Sequence, residues 1–333
     1  MSVVTLVVGL VLLVGVVVDL LWTIVWVEGG AGPLTARLMS GTWRVLRRVG
    51  SRESRLLELG GPLVLGAGFV VWTAGLWGGW TLVFASAGEA IADAFGARTV
   101  GWGDLVYFTG YVFFTLGNGD FVPRGTVWQV ATTLAAGSGM LFVTLSVTYV
   151  LSVLGAVTQK RTFAKNVSGL GERGTEVLRR SWDGERFSGL RVPLNTVATQ
   201  LNTLTANHMA YPVLHYFYTR QSDRAPTTSV AVLDETLTLF QHGVPEADRP
   251  GALLLAESRS SVGEYLQTVG SAYVEPAEEA PPGPDLDALR EAGVPTVSDE
   301  AFADALADLE ERRRRLLGLV RSDEHEWPNT RES

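Results

Sequence analysis

The sequence predicts an all-α membrane protein with three transmembrane helices, a re-entrant helix followed by an irregular segment, and an all-helical cytoplasmic C-terminal domain. Three observations lead there. The chain has 333 residues, 47% of them apolar, and nearly all of its long apolar runs lie before residue 158. Arginines collect beside the ends of those runs. Beyond residue 158 the apolar residues recur at helical spacing instead of in blocks.

Charge follows the same division. Up to Val157 the chain holds 8 Lys and Arg against 8 Asp and Glu, so the net charge of −8 belongs to the remainder. An acidic tail is unsuited to nucleic acid, because phosphate binding needs a basic face. Without cysteine there are no disulfides, zinc–thiolate sites or thiol catalysis. No nucleophile, base and orienter stand together, and the 4 His are scattered. An enzyme is therefore not expected, nor is a cofactor.

Residues 2–27 form an apolar run with the single charge Asp19, longer than the ~20 residues needed to cross a ~30 Å core. The run is too long for the apolar region of a signal peptide and has no basic flank before it, so no cleavage is expected. An ionisable group inside a span faces the bundle or water. Asp19 is therefore either an intramembrane sensor or a hydrogen-bonded carboxylate packed against a polar neighbour. No span carries an arginine ladder, which excludes a voltage sensor of that kind.

The following loop holds Arg37, Arg44, Arg47, Arg48, Arg52 and Arg55. Leu38, Trp43, Val45 and Leu46 interleave with them and suggest an amphipathic interfacial helix. The arginines of the 37–55 loop either bind anionic lipid headgroups or only set topology. A second span runs from Gly61 to Ala85 and a third, uncharged, from Thr126 to Val157. Lys160, Arg161 and Lys165 follow the third at once. The excess of basic residues puts both flanks inside, which leaves the N-terminus outside and the tail in the cytoplasm of a cell-membrane protein. The third span overshoots the bilayer and should tilt or project inward.

Between the second and third spans, LVYFTGYVFFTL (105–116) is apolar but too short to cross. Asp104 precedes it as a helix cap, and Gly117 to Pro123 follow before the third span. Irregular backbone at membrane depth survives only where it is buried in protein or lines a watery cavity.

Thr115-Leu116-Gly117-Asn118-Gly119-Asp120 resembles the potassium-channel filter TVGYGD. The likeness extends upstream, where Tyr107-Phe108-Thr109 matches a pore-helix YFS, and downstream through Phe121-Val122-Pro123, similar to a GDIVP-type exit. The resemblance covers roughly residues 61–157. It implies a pore domain of span, pore helix, filter and span, with K⁺ as the permeant ion. The ion-binding filter would be Thr115, Leu116, Gly117, Asn118 and Gly119, with the carbonyls of Thr115, Leu116, Gly117 and Asn118 lining the path and the glycines tolerating the unusual backbone angles this requires. Asp120 would support the filter from behind, together with Tyr111 and Phe114. Gly137 and Gly139 lie where related channels carry a hinge glycine, and serve either as a gating hinge or for helix packing. One filter per chain implies a homotetramer. The departure is Asn118, where the family prefers Tyr or Phe; it leaves Na⁺ permeation, as a non-selective cation channel, as an alternative. A membrane-anchored scaffold or sensor with a non-conducting pore is the second alternative.

Five segments follow: residues 1–60, the first span and Arg-rich loop; 61–157, the pore domain; 158–274, a helical cytoplasmic domain; 275–298, an acidic Pro-rich linker expected to be mobile; and 299–333, a terminal helix and tail. Within the third, GLGERG at 169–174 spells GxGxxG, but no hydrophobic strand precedes it, so it reads as a linker turn. Leu194, Val197, Leu201 and Leu204 form a helical stripe. His208 and His215 flank Pro212 and read as core histidines. Phe302, Leu306, Leu309, Arg313, Leu316 and Val320 step along the last helix, which is expected to dock on its own domain.

Overall fold

The computed structural model describes residues 2–26, 30–49, 55–96, 99–221, 225–273 and 275–328. Residues 50–54 of the Arg-rich loop, with Arg52, lie outside them, as does the last stretch of the tail. The chain is an all-α membrane protein. Among the described residues, three helices are long and apolar enough to cross a membrane: α1 (Val3–Val25), α4 (Gly60–Ala85) and α6 (Gly125–Leu170). Between the first two lie α2 (Pro33–Val49) and the single turn α3 (Arg55–Glu58).

The structure forms two compact units. The first comprises residues 1–45, 61–154 and 210–213. In it, α1 and α4 pack closely because glycines remove side chains from their contact. A Cβ on Gly75 would lie 2.6 Å from Val16, and one on Gly79 would lie 2.7 Å from Leu13. This small-xxx-small spacing lets backbones approach, where lipid supplies no hydrophobic drive to bring helices together. Ser2 N donates to Ser86 O at 2.7 Å, which ties the start of α1 to the end of α4 and makes the pair antiparallel.

Asp19, 2% exposed, closes the other end of that pair. Its Oδ1 accepts from the backbone N–H of Leu34 (2.8 Å) and Thr35 (3.2 Å) in the first turn of α2. Oδ2 accepts from the Thr35 hydroxyl (2.5 Å) and from Trp72 Nε1 of α4 (3.0 Å). A carboxylate at a helix start satisfies N–H groups that have no partner within the helix.

Helix α5 (Trp102–Phe113) lies between α4 and α6 in the chain. At 1.5 Å per residue it is about 18 Å long, roughly half of a bilayer core. It begins three residues before the expected position. Asp104 sits inside the first turn, where its Oδ2 accepts from Gly101 N at 2.9 Å. A two-stranded antiparallel ribbon, β1 (Ile91–Asp93) with β2 (Phe121–Pro123), joins the end of α4 to the start of α6.

The second unit comprises residues 46–60, 155–209 and 214–333. Its centre is α9 (Pro226–Thr238), every residue of which is buried. Around it stand α7 (Gly174–Ser181), α10 (Ala252–Tyr273) and α13 (Glu310–Ser322). Helix α8 (Arg191–Ala210) meets α10 through His208 and Tyr265, and the short α11 (Asp287–Glu291) packs on α7. Leu194, Val197, Leu201 and Leu204 are buried along α8. Asp234 of α9, 2% exposed, accepts from Arg259 Nη1 (2.7 Å) and Arg312 Nη2 (2.6 Å), so the buried charge is paired from two helices. His208 lies edge-on to Tyr265 with ring centroids 5.6 Å apart, and burial lowers its pKa to about 3.

Two features of this unit differ from expectation. The acidic Pro-rich stretch is a packed strap and not a mobile linker: Arg313 Nη2 donates to the carbonyls of Pro281 (3.0 Å) and Pro282 (2.7 Å). Arg314 Nε donates to Ala277 O at 2.7 Å, and Ala277 N returns a bond to Arg314 O at 3.0 Å. The terminal helix is also two helices, α12 (Asp299–Asp308) and α13, divided at Leu309, whose N–H bonds back to Leu306 O. Phe302, Arg313, Leu316 and Val320 are buried, and α13 docks on α9 through Arg312.

Candidate functional site

The site is the segment between α5 and β2. Packing fixes its base. Phe108, Tyr111 and Val112 of α5 join Phe84, Ile91, Phe121 and Ala135 in one buried cluster. Thr109, fully buried, shares hydrogen bonds with Thr81 (2.7 Å) and Trp77 Nε1 (3.1 Å) of α4. Gly110 lies under the Trp77 ring, where a Cβ would come within 2.9 Å. A bulkier residue would push the half-helix away from α4.

From the end of α5 the backbone leaves in a defined way. Thr115 N donates to Val112 O (3.0 Å) and Leu116 N to Tyr111 O (2.7 Å), which satisfies carbonyls of the last turn. Thr115 has φ 57°, Gly117 63° and Gly119 82°, whereas Leu116 and Asn118 have negative φ. In an ordinary strand successive carbonyls point to opposite sides. Alternating the sign of φ swings successive peptides so that their carbonyls share a side. Two of the three left-handed positions are glycine, which adopts them without a Cβ penalty. Thr115 takes one of them without that freedom, a strain of the order of 1 kcal/mol or more. All five residues are exposed, Leu116 to 66%.

A short chain of polar groups braces the ribbon. Asn118 Nδ2 donates to the Tyr107 hydroxyl at 2.8 Å, and that hydroxyl donates to Asp120 Oδ2 at 2.6 Å. The Tyr111 hydroxyl donates to Phe121 O (2.8 Å) and accepts from Phe121 N (3.3 Å), pinning the first residue of β2. Tyr107 and Tyr111 are one helical turn apart with rings 5.2 Å from each other. Asn118 is thus held by a hydrogen bond rather than by packing. Asp120 O also accepts from Ala94 N at 2.9 Å, beside β1.

The remaining residues singled out from the sequence fall as follows. Phe114 is 43% exposed and meets Trp77 and Phe113 edge-on. Gly139 of α6 lies directly against the Phe113 carbonyl, leaving no room for a Cβ, whereas Gly137 has open space around it. Asp19 belongs to the α1–α2–α4 junction and not to this site. Tyr107 is the residue that sequence reasoning undervalued; its spacing of four from Tyr111 was the available signal. Among the described residues no three His, Asp or Glu gather to hold a metal ion.

A family model described as "Ion channel" matches residues 65–156. An uncharacterized membrane protein of Bacillus subtilis (strain 168), YdjJ, is 41% identical over 320 residues, which is 96% of this chain and 94% of that protein. No solved structure matches.

Proposed function

Since the chain belongs to the ion-channel family, with the pore region at residues 65–156, we propose that it is a potassium-conducting homotetramer of the cell membrane, with the N-terminus outside and the tail in the cytoplasm. The observation that carries this reading is the ribbon Thr115–Gly119, exposed and alternating in the sign of φ between the anchored ends of α5 and β2.

A K⁺ ion entering a pore must exchange its water for other oxygens. One chain offers one carbonyl at each level, and four chains around an axis offer a ring. Thr115, Leu116, Gly117 and Asn118 provide successive rings, with the Thr115 hydroxyl at the inner end. The hydrogen bonds of Tyr107 and Tyr111 hold the ring width, the task that an aromatic residue at position 118 performs by packing in relatives. Contacts of Gly139 with Phe113 support a packing role for that glycine, and the four bonds of Asp19 support a structural one.

Asn118 favours one second reading, a non-selective cation channel, because its side chain is small, polar and exposed. Flux from liposomes containing the purified protein separates the two. K⁺ efflux that vanishes when Na⁺ replaces K⁺ supports selective conduction. Equal K⁺ and Na⁺ flux selects the non-selective channel. No flux of either ion refutes conduction and leaves a membrane-anchored scaffold.

A further inference from the structure

Helix α2 contains four arginines and no Asp or Glu. At about 100° per residue, Arg37, Arg44 and Arg48 fall within about 40° of one another around the helix. All three are exposed. Leu34, 40% exposed, and Val45, 59% exposed, border the same stripe, while buried Thr35 and Met39 lie on the far side. Arg47 points elsewhere and pairs with Glu324 at 2.5 Å. Among the described residues, Arg37, Arg44 and Arg48 meet no carboxylate.

The level of this helix follows from its anchor. Asp19, which caps the first turn of α2, lies six residues before the end of α1, about 9 Å along the axis. Trp22 and Trp26 stack at that same end with ring centroids 5.3 Å apart, partly exposed, as aromatic residues do at a membrane interface. The helix therefore starts where acyl chains give way to headgroups, with an apolar border for the chains and guanidinium groups for phosphates.

We propose that the Arg37–Arg44–Arg48 face of α2 binds the anionic phospholipid headgroups of the cytoplasmic leaflet. The proposal rests on the orientation given above and not on ion conduction, so its test reads binding alone. Native mass spectrometry of the full chain in detergent, titrated with phosphatidylglycerol or phosphatidylcholine, measures lipid retained. Phosphatidylglycerol should be retained in preference. Changing all three arginines to glutamine should weaken it on the order of a hundredfold, about fivefold for each charge, and changing all three to lysine should keep most of the affinity. The oligomer peak in the same spectra reports assembly. Should the triple glutamine variant not assemble, Arg44→Gln alone, about fivefold weaker, decides. Equal retention of the two lipids, or unchanged affinity in an assembled glutamine variant, overturns the proposal.

Discussion

Replacing Tyr107 with Phe removes one oxygen and leaves the ring contacts with Tyr111 and Phe121 in place. Two hydrogen bonds go with it, the one from Asn118 and the one to the Asp120 carboxylate. A bond to a charged group is stronger than a neutral one, so the contact with Asp120 is the larger loss, and Tyr107, 43% exposed, has water to compensate for part of both. The loss moves the balance from the braced toward the unbraced ribbon. In the proposed tetramer, a single loosened ribbon disturbs every ring it contributes to. Reversal potentials in planar bilayers with K⁺ on one side and Na⁺ on the other measure the consequence: the K⁺/Na⁺ permeability ratio should fall in Tyr107→Phe. An unchanged ratio, with unchanged open probability, would refute the idea that this hydroxyl sets the ribbon.

Gly139→Ala should abolish tetramer assembly, because its Cβ meets the Phe113 carbonyl, while Gly137→Ala should assemble normally; size-exclusion chromatography separates the outcomes. Asp234→Asn leaves Arg259 and Arg312 without their shared carboxylate and should cost about 3–5 kcal/mol, seen as a lowered melting temperature of the tail. For His208 the folded pKa of about 3 lies below the unfolded value of 6.5, so between these values the unfolded chain binds the extra proton. Stability is then present above pH 6.5 and is lost as pH falls toward 3, at most about 2 kcal/mol by pH 5. Thermal melts at pH 7.5 and 5 should show the decline, and His208→Gln should reduce it.

The spans were legible because an apolar run with at most one charge, longer than a bilayer is thick, suits a crossing helix and little else, and the half-helix because its run was too short. Element edges were less so. Asp104 looked like a cap, but the helix reaches back to Trp102, since a carboxylate can serve the start of a helix from inside its first turn. The Tyr107–Asn118–Asp120 brace joins residues 11 and 13 apart in the chain, and its existence depends on how the ribbon turns. Gly75 and Gly79 carried the small-xxx-small spacing in plain view, yet which helix they meet is a tertiary fact. Composition misled at residues 275–286. Proline lacks an N–H but keeps its carbonyl: Arg313 donates to the carbonyls of Pro281 and Pro282, and Arg314 to that of Ala277, which together fasten the strap.

The position of ions tests the central claim most directly. A structure of the assembled protein determined in Tl⁺, a heavy substitute for K⁺, should show density on the fourfold axis between the carbonyls of Thr115, Leu116, Gly117 and Asn118. An assembly with no axial density at these levels, or with carbonyls turned away from the axis, would contradict the assignment of this ribbon as the ion path.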